Sequence, residues 1–196
     1  VIMGGLAGDA LTTGAYNIAI GYQALSSEDT GSVSIGIGYY ALQAQNNASN
    51  NYNIAIGHSA GAAITSGTQN TLIGGLAGTA LTIGNSNVAM GMQALSTSVD
   101  GDYNTAIGYR ALQDYEDGDG NGHNTAVGGD SQLNASTGEF NTSLGSMSIG
   151  SGVTTGDYNI AVGYQAGIAL TSGERNVLIG ANAGDGLTTG EKNVAV

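Results

Sequence analysis

A segment reading Asn-Ile-Ala-Ile-Gly-Tyr-Gln-Ala, first met at Asn17, recurs with variations along the whole chain. Its leading position falls at Asn17, Ser34, Asn53, Asn70, Asn87, Asn104, Asn124, Asn141, Asn159, Asn176 and Asn193. The successive intervals are 17, 19, 17, 17, 17, 20, 17, 18, 17 and 17 residues. A unit this short cannot bury its own apolar face and must cover it with the next unit. The period therefore predicts a single repeat array over residues 1–196, of about eleven turns, rather than separate domains.

Within each unit the second and fourth positions are apolar, as at Ile18 and Ile20, Ile54 and Ile56, Val88 and Met90, and Ile160 and Val162. Alternation closed by glycine predicts a short strand. Helix is ruled out, because two glycines per unit would each cost about 1 kcal/mol there. The alternating side chains are expected to point into a solenoid core. Between them lies a small or apolar uncharged residue, such as Ala19, Gly36, Ala55, Leu72, Ala89 or Ser143. A strand face in water would carry polar groups there, so this face is expected to meet a second chain. The closing glycine recurs in every unit from Gly4 to Gly180, which predicts a backbone corner without room for a Cβ. Further on, Leu-Thr pairs such as Leu81-Thr82 suggest a second short strand. The three length irregularities fall in this half, which is accordingly expected on the outside.

Composition narrows the function. With 15 acidic and 3 basic residues the net charge is -12, which argues against nucleic acid and against anionic membrane surfaces. The absence of cysteine removes disulfides and thiol chemistry. No apolar run approaches the roughly 20 residues that span a bilayer, and no stretch within these residues reads as a signal peptide. Both ends cut the repeat in mid-motif, which is read as a segment of a longer protein.

Candidate sites are few. The asparagine column (Asn17, Asn53, Asn70, Asn87, Asn104, Asn124, Asn141, Asn159, Asn176) reads as a stacked structural ladder rather than a set of ligands. Tyrosines fall in two columns, Tyr16, Tyr52, Tyr103 and Tyr158 before the Asn, and Tyr22, Tyr39, Tyr109 and Tyr164 after the Gly. Packing is the favoured role, and the second column is the candidate sugar-binding row. In the longest insertion, Asp117, Asp119 and Asn121 stand at alternate positions before Gly122, as at the start of a calcium loop. A Glu that would complete an EF-hand is replaced by Gly128, so a solvated acidic loop is the competing reading and calcium the one cofactor considered. A single Thr per turn weighs against an ice-binding face. His58 and His123 lack a partner at ligand spacing, and no nucleophile with its base is present, so no enzyme is expected.

The motif Asn-x-Ala-Ile-Gly followed by Ala, as in Asn53-Ile-Ala-Ile-Gly57, Asn104-Thr-Ala-Ile-Gly108 and Asn159-Ile-Ala-Val-Gly163, resembles the head repeats of YadA-type trimeric autotransporter adhesins and related repeats of phage tail fibres. The resemblance implies a left-handed parallel β-roll, three subunits about a common axis, and attachment at a cell or virion surface. Together these readings predict an all-β parallel β-solenoid of about 17 residues per turn in a homotrimeric extracellular fibre that binds a receptor or surface glycan. The alternative is a self-assembling filament or sheath subunit without a specific ligand, since open solenoid ends are templates for strand pairing.

Overall fold

The computed structural model describes residues 1–115, 121–150 and 152–196. Among them lie β1 (Ile2–Met3), β2 (Ile18–Ile20), β3 (Ile35–Ile37), β4 (Ile54–Ile56), β5 (Thr71–Ile73), β6 (Val88–Met90), β7 (Thr105–Ile107), β8 (Thr125–Val127), β9 (Thr142–Leu144), β10 (Ile160–Val162), β11 (Val177–Ile179) and β12 (Val194–Ala195). They form one 12-stranded parallel sheet in chain order. Equivalent positions pair in register, Ile18 with Ile35, Ala19 with Gly36, and Ile20 with Ile37. The chain is therefore a parallel β-solenoid of about eleven turns with roughly 17 residues per turn. At about 4.8 Å per strand step the sheet is about 50 Å long.

The strands are inverted relative to the expectation from their alternation. The middle residue points inward: Ala19, Ala55, Leu72, Ala89, Ala106, Ala126, Ser143, Ala161 and Leu178 are fully buried within the single chain. The flanking Ile, Val and Thr side chains point outward and are half-buried or exposed. The small middle residue thus reflects a narrow interior and gives no argument for a second chain. Alternation defines two faces of a strand but does not say which one faces the core.

Among the described residues no second strand forms in the other half of the turn. After the corner glycine the backbone enters the left-handed region at alternate residues, as at Gln23 (φ 53), Leu25 (φ 52), Tyr40 (φ 60) and Leu42 (φ 52). These turns still bond to the next turn, Leu25 N–H to Ala41 C=O at 3.0 Å and Leu42 N–H to Ala60 C=O at 3.1 Å. Nor is this half outside, since it supplies the bulk of the core. Leu25, Leu42, Leu95, Leu112 and Ile149 fill it from one position, and Ile64, Leu81 and Leu170 from a position three residues later.

The two positions compensate. Where the first carries glycine the second carries the large side chain, as in Gly61 with Ile64, Gly78 with Leu81 and Gly167 with Leu170. A Cβ on Gly61 would come within 3.1 Å of Ile64 Cδ1 and 2.8 Å of Leu72 Cδ1. Leucine at a strand centre is accommodated where glycines flank it, Leu72 between Gly61 and Gly78, and Leu178 between Gly167 and Gly184. In these glycine-bearing turns the volume given up at the first position is thus supplied from the second.

Candidate functional site

The interior is held by amides as well as by aliphatic groups. Asn53, Asn70, Asn87, Asn104, Asn124, Asn141, Asn159 and Asn176 are fully buried, and Asn17 nearly so. From Asn53 on, each Oδ1 accepts from the backbone N–H of the next column residue, as Asn70 N–H to Asn53 Oδ1 at 2.9 Å and Asn87 N–H to Asn70 Oδ1 at 3.0 Å. Most Nδ2 groups donate to a glycine carbonyl, Asn70 to Gly84 at 2.8 Å and Asn87 to Gly101 at 2.7 Å. A column residue without access to ligand therefore carries the ladder.

The one break, Ser34, is repaired by a polar cluster that column-by-column reading missed. Gln45 Nε2 donates to Ser34 Oγ at 2.9 Å, and Asn53 Nδ2 donates to Gln45 Oε1 at 2.8 Å, so Gln45 bridges the shorter side chain. Glu28 is fully buried beside it. Its carboxylate accepts from Gly31 N–H at 2.7 Å, Gln45 Nε2 at 2.9 Å and Asn51 Nδ2 at 3.1 Å. Glu28 and Gln45 occupy the position filled elsewhere by Ile64 or Leu81, and that substitution was the available signal. Glu28→Ala would orphan three donors and is expected to destabilise the fold by about 2–4 kcal/mol. Glu28→Gln keeps the volume and one acceptor and should cost less; urea melts compare the two.

The outer surface carries the aromatic rows. Tyr22 stacks on Tyr39 (centroids 5.5 Å apart, 19° between planes), and Tyr39 on His58 (5.2 Å, 5°). Tyr40 packs against Tyr39, and its phenol is pushed above the ordinary value by the Tyr39 hydroxyl and by burial. Tyr109 lies beneath the Arg110 guanidinium at 4.8 Å. Arg110 Nε donates to Asp130 at 2.8 Å, which raises the guanidinium further above its ordinary value. Tyr164 has Ser146 and Ala181 as its column neighbours. The second column is thus not one continuous platform: Tyr22 and Tyr39 share a stack, while Tyr109 and Tyr164 stand elsewhere.

The longer stack lies on the other rim. Tyr103, His123, Phe140 and Tyr158 follow one another at 4.8, 5.0 and 5.0 Å, with planes within 3–7° of parallel. Arg175 continues it, 5.6 Å over Tyr158. Both histidines are therefore members of aromatic stacks.

Asp117 and Asp119 lie outside the described residues, and Asn121 is exposed, its carbonyl accepting from the buried Tyr115 hydroxyl at 2.7 Å. Among the described residues no group of three His, Asp or Glu side chains is placed to hold a metal, and no helix is long and apolar enough to cross a membrane.

The most extensive surface feature is the outward face of the sheet. Two columns run its length, Ile18, Ile35, Ile54, Thr71, Val88 and their successors beside Ile20, Ile37, Ile56, Ile73 and Met90. Ile56, Met90, Ile107, Leu144, Ile160 and Ile179 are each more than a third exposed. The strip is about 50 Å long and at least ~10 Å wide, at the upper end of apolar patches carried by monomers. No protein-family model, curated protein or solved structure matches this chain.

Proposed function

We propose that the chain is a rigid segment of an extracellular or virion-surface fibre, a left-handed coil whose copies associate as a homotrimer through the outward apolar face of the sheet. The turns on the opposite side would remain free for attachment to a receptor or surface glycan. The single supporting observation is the strip itself: an unbroken column of Ile, Val, Met and Leu beside a second column of Ile and Val interrupted by Thr71, Thr105, Thr125 and Thr142, uncharged over twelve strands. Water in contact with so much apolar surface is unfavourable by about 25 cal/mol per Å², and a second copy of the same flat, regular face is its most complementary cover. The role is mechanical display, with no chemistry of its own.

Light scattering tests this directly. A mass three times 19.3 kDa is expected across a range of concentrations. Replacing Ile56 and Ile107, both outward and central, with lysine should yield a folded monomer, because each charge would be buried unpaired at the contact. A wild-type monomer at tens of micromolar would sink the proposal, and a mass that climbs with concentration would favour the end-to-end filament.

A further inference from the structure

We propose that the gap between Tyr16 and Tyr52 is a binding slot for one small planar aromatic ring, of the indole or phenol class. Both tyrosines belong to the column that forms the continuous stack Tyr103–His123–Phe140–Tyr158. In the turn between them that column holds Val33, so one ring is missing. Successive rings in the complete stack are 4.8–5.0 Å apart. Tyr16 and Tyr52 lie two turns apart and so bracket roughly 10 Å, the separation at which one flat ring meets both faces at ordinary stacking distance.

A cavity of about 330 Å³ occupies this place, lined by Tyr16, Ile18, Val33, Ile35, Tyr52 and Ile54. Its volume lies within the range of small-ligand sites. The lining side chains are aliphatic apart from the two phenols, with no amide or carboxylate to read a ring of hydroxyls. That favours a flat aromatic compound over a pyranose, whose recognition depends on placed hydrogen-bonding groups. Tyr16 is 86% exposed, so a large part of its ring is free to be covered. Ile18, Ile35 and Ile54 of its lining also belong to the apolar strip, so the slot lies at the edge of the face through which the copies are proposed to associate.

Val33→Tyr supplies the test, because it fills the slot with the chain's own ring. The variant should fold: Val33 has φ 61, and tyrosine already occupies the same conformation at Tyr16 (φ 61), Tyr52 (φ 53), Tyr103 (φ 57) and Tyr158 (φ 59). The chain has no tryptophan, so the emission of indole excited beyond the tyrosine band reports on the probe alone. Titration of wild type is expected to saturate with a Kd of about 1 mM, as suits a ring of this size. Binding should weaken at least tenfold in Val33→Tyr and in Tyr52→Ala, with the melting temperature of Val33→Tyr unchanged or raised. Methyl glucoside in excess should not displace the probe. Absence of saturation, equal binding by Val33→Tyr, displacement by the glucoside, or capture of a phenylalanine-bearing peptide in the absence of indole binding would each overturn the proposal. The solution mass, measured separately, shows whether the fibre reading stands or falls with it.

Discussion

Gly74→Ala is expected to lower stability by about 4 kcal/mol, whereas Gly75→Ala, one residue on, should change it by less than about 0.5 kcal/mol. Gly74 closes β5 with φ +136, a conformation L side chains rarely adopt, and a Cβ there would lie 2.5 Å from the Gly91 carbonyl oxygen and 2.7 Å from its carbon. Both obstacles are backbone, so relief requires the next turn to move away. At Gly75 an added Cβ meets nothing within 4 Å. In a chain of this length the difference corresponds to roughly 10 °C in melting temperature, readable by circular dichroism. Stability in a solenoid is a sum over adjacent turns, so the damage should be local: hydrogen exchange is expected to accelerate around β5 and β6 before it does at β10. Equal melting temperatures for the two variants would show that the corner tolerates a side chain.

Asn87→Ala should cost a comparable amount, about 3–5 kcal/mol, by a different route. The Asn87 amide donates to Gly101 C=O at 2.7 Å and to Asn70 Oδ1 at 3.1 Å, and its Oδ1 accepts from Asn104 N–H at 2.9 Å. Truncation leaves a buried carbonyl and a buried N–H without partners in a space too narrow for the chain to close. Asn87→Asp should be no better, because the carboxylate would face Asn70 Oδ1 and the Gly101 carbonyl in place of the donor. Asn193, at the partly exposed last turn, provides the comparison; Asn193→Ala should cost under about 1 kcal/mol, since water reaches its partners. Denaturant melts of the three variants suffice. A cost below 1 kcal/mol for Asn87→Ala would mean that the amide ladder contributes little.

Ser34 shows how strongly the ladder constrains the chain. One side chain too short for the column is accompanied by Gln45, Glu28 and Asn51, three polar groups in an otherwise aliphatic layer, two of them where leucine or isoleucine would stand. The two-residue insertion before Asn53 falls in the same turn. Each departure was visible as an isolated irregularity. That they touch one another was not, because contacts between turns join residues 8 to 23 positions apart through an interior the period does not describe.

Periodicity alone determined the stacked parallel strands, the in-register pairing, the number of turns and the corner glycines, because these follow from a local pattern repeated at fixed spacing. The facing of the strands needed the coil to be closed. Ile18 and Ile20 look like core residues and Ala19 like a surface or interface residue until the leucines of the opposite wall, Leu25 and Leu42, take up the interior and leave room only for a methyl group between. The same closure turned the supposed outer half into the supplier of core volume and left the β-branched columns facing away from it. Only the tertiary structure decided this, since alternation specifies a difference between two faces while the space available inside a narrow coil decides which of them is buried.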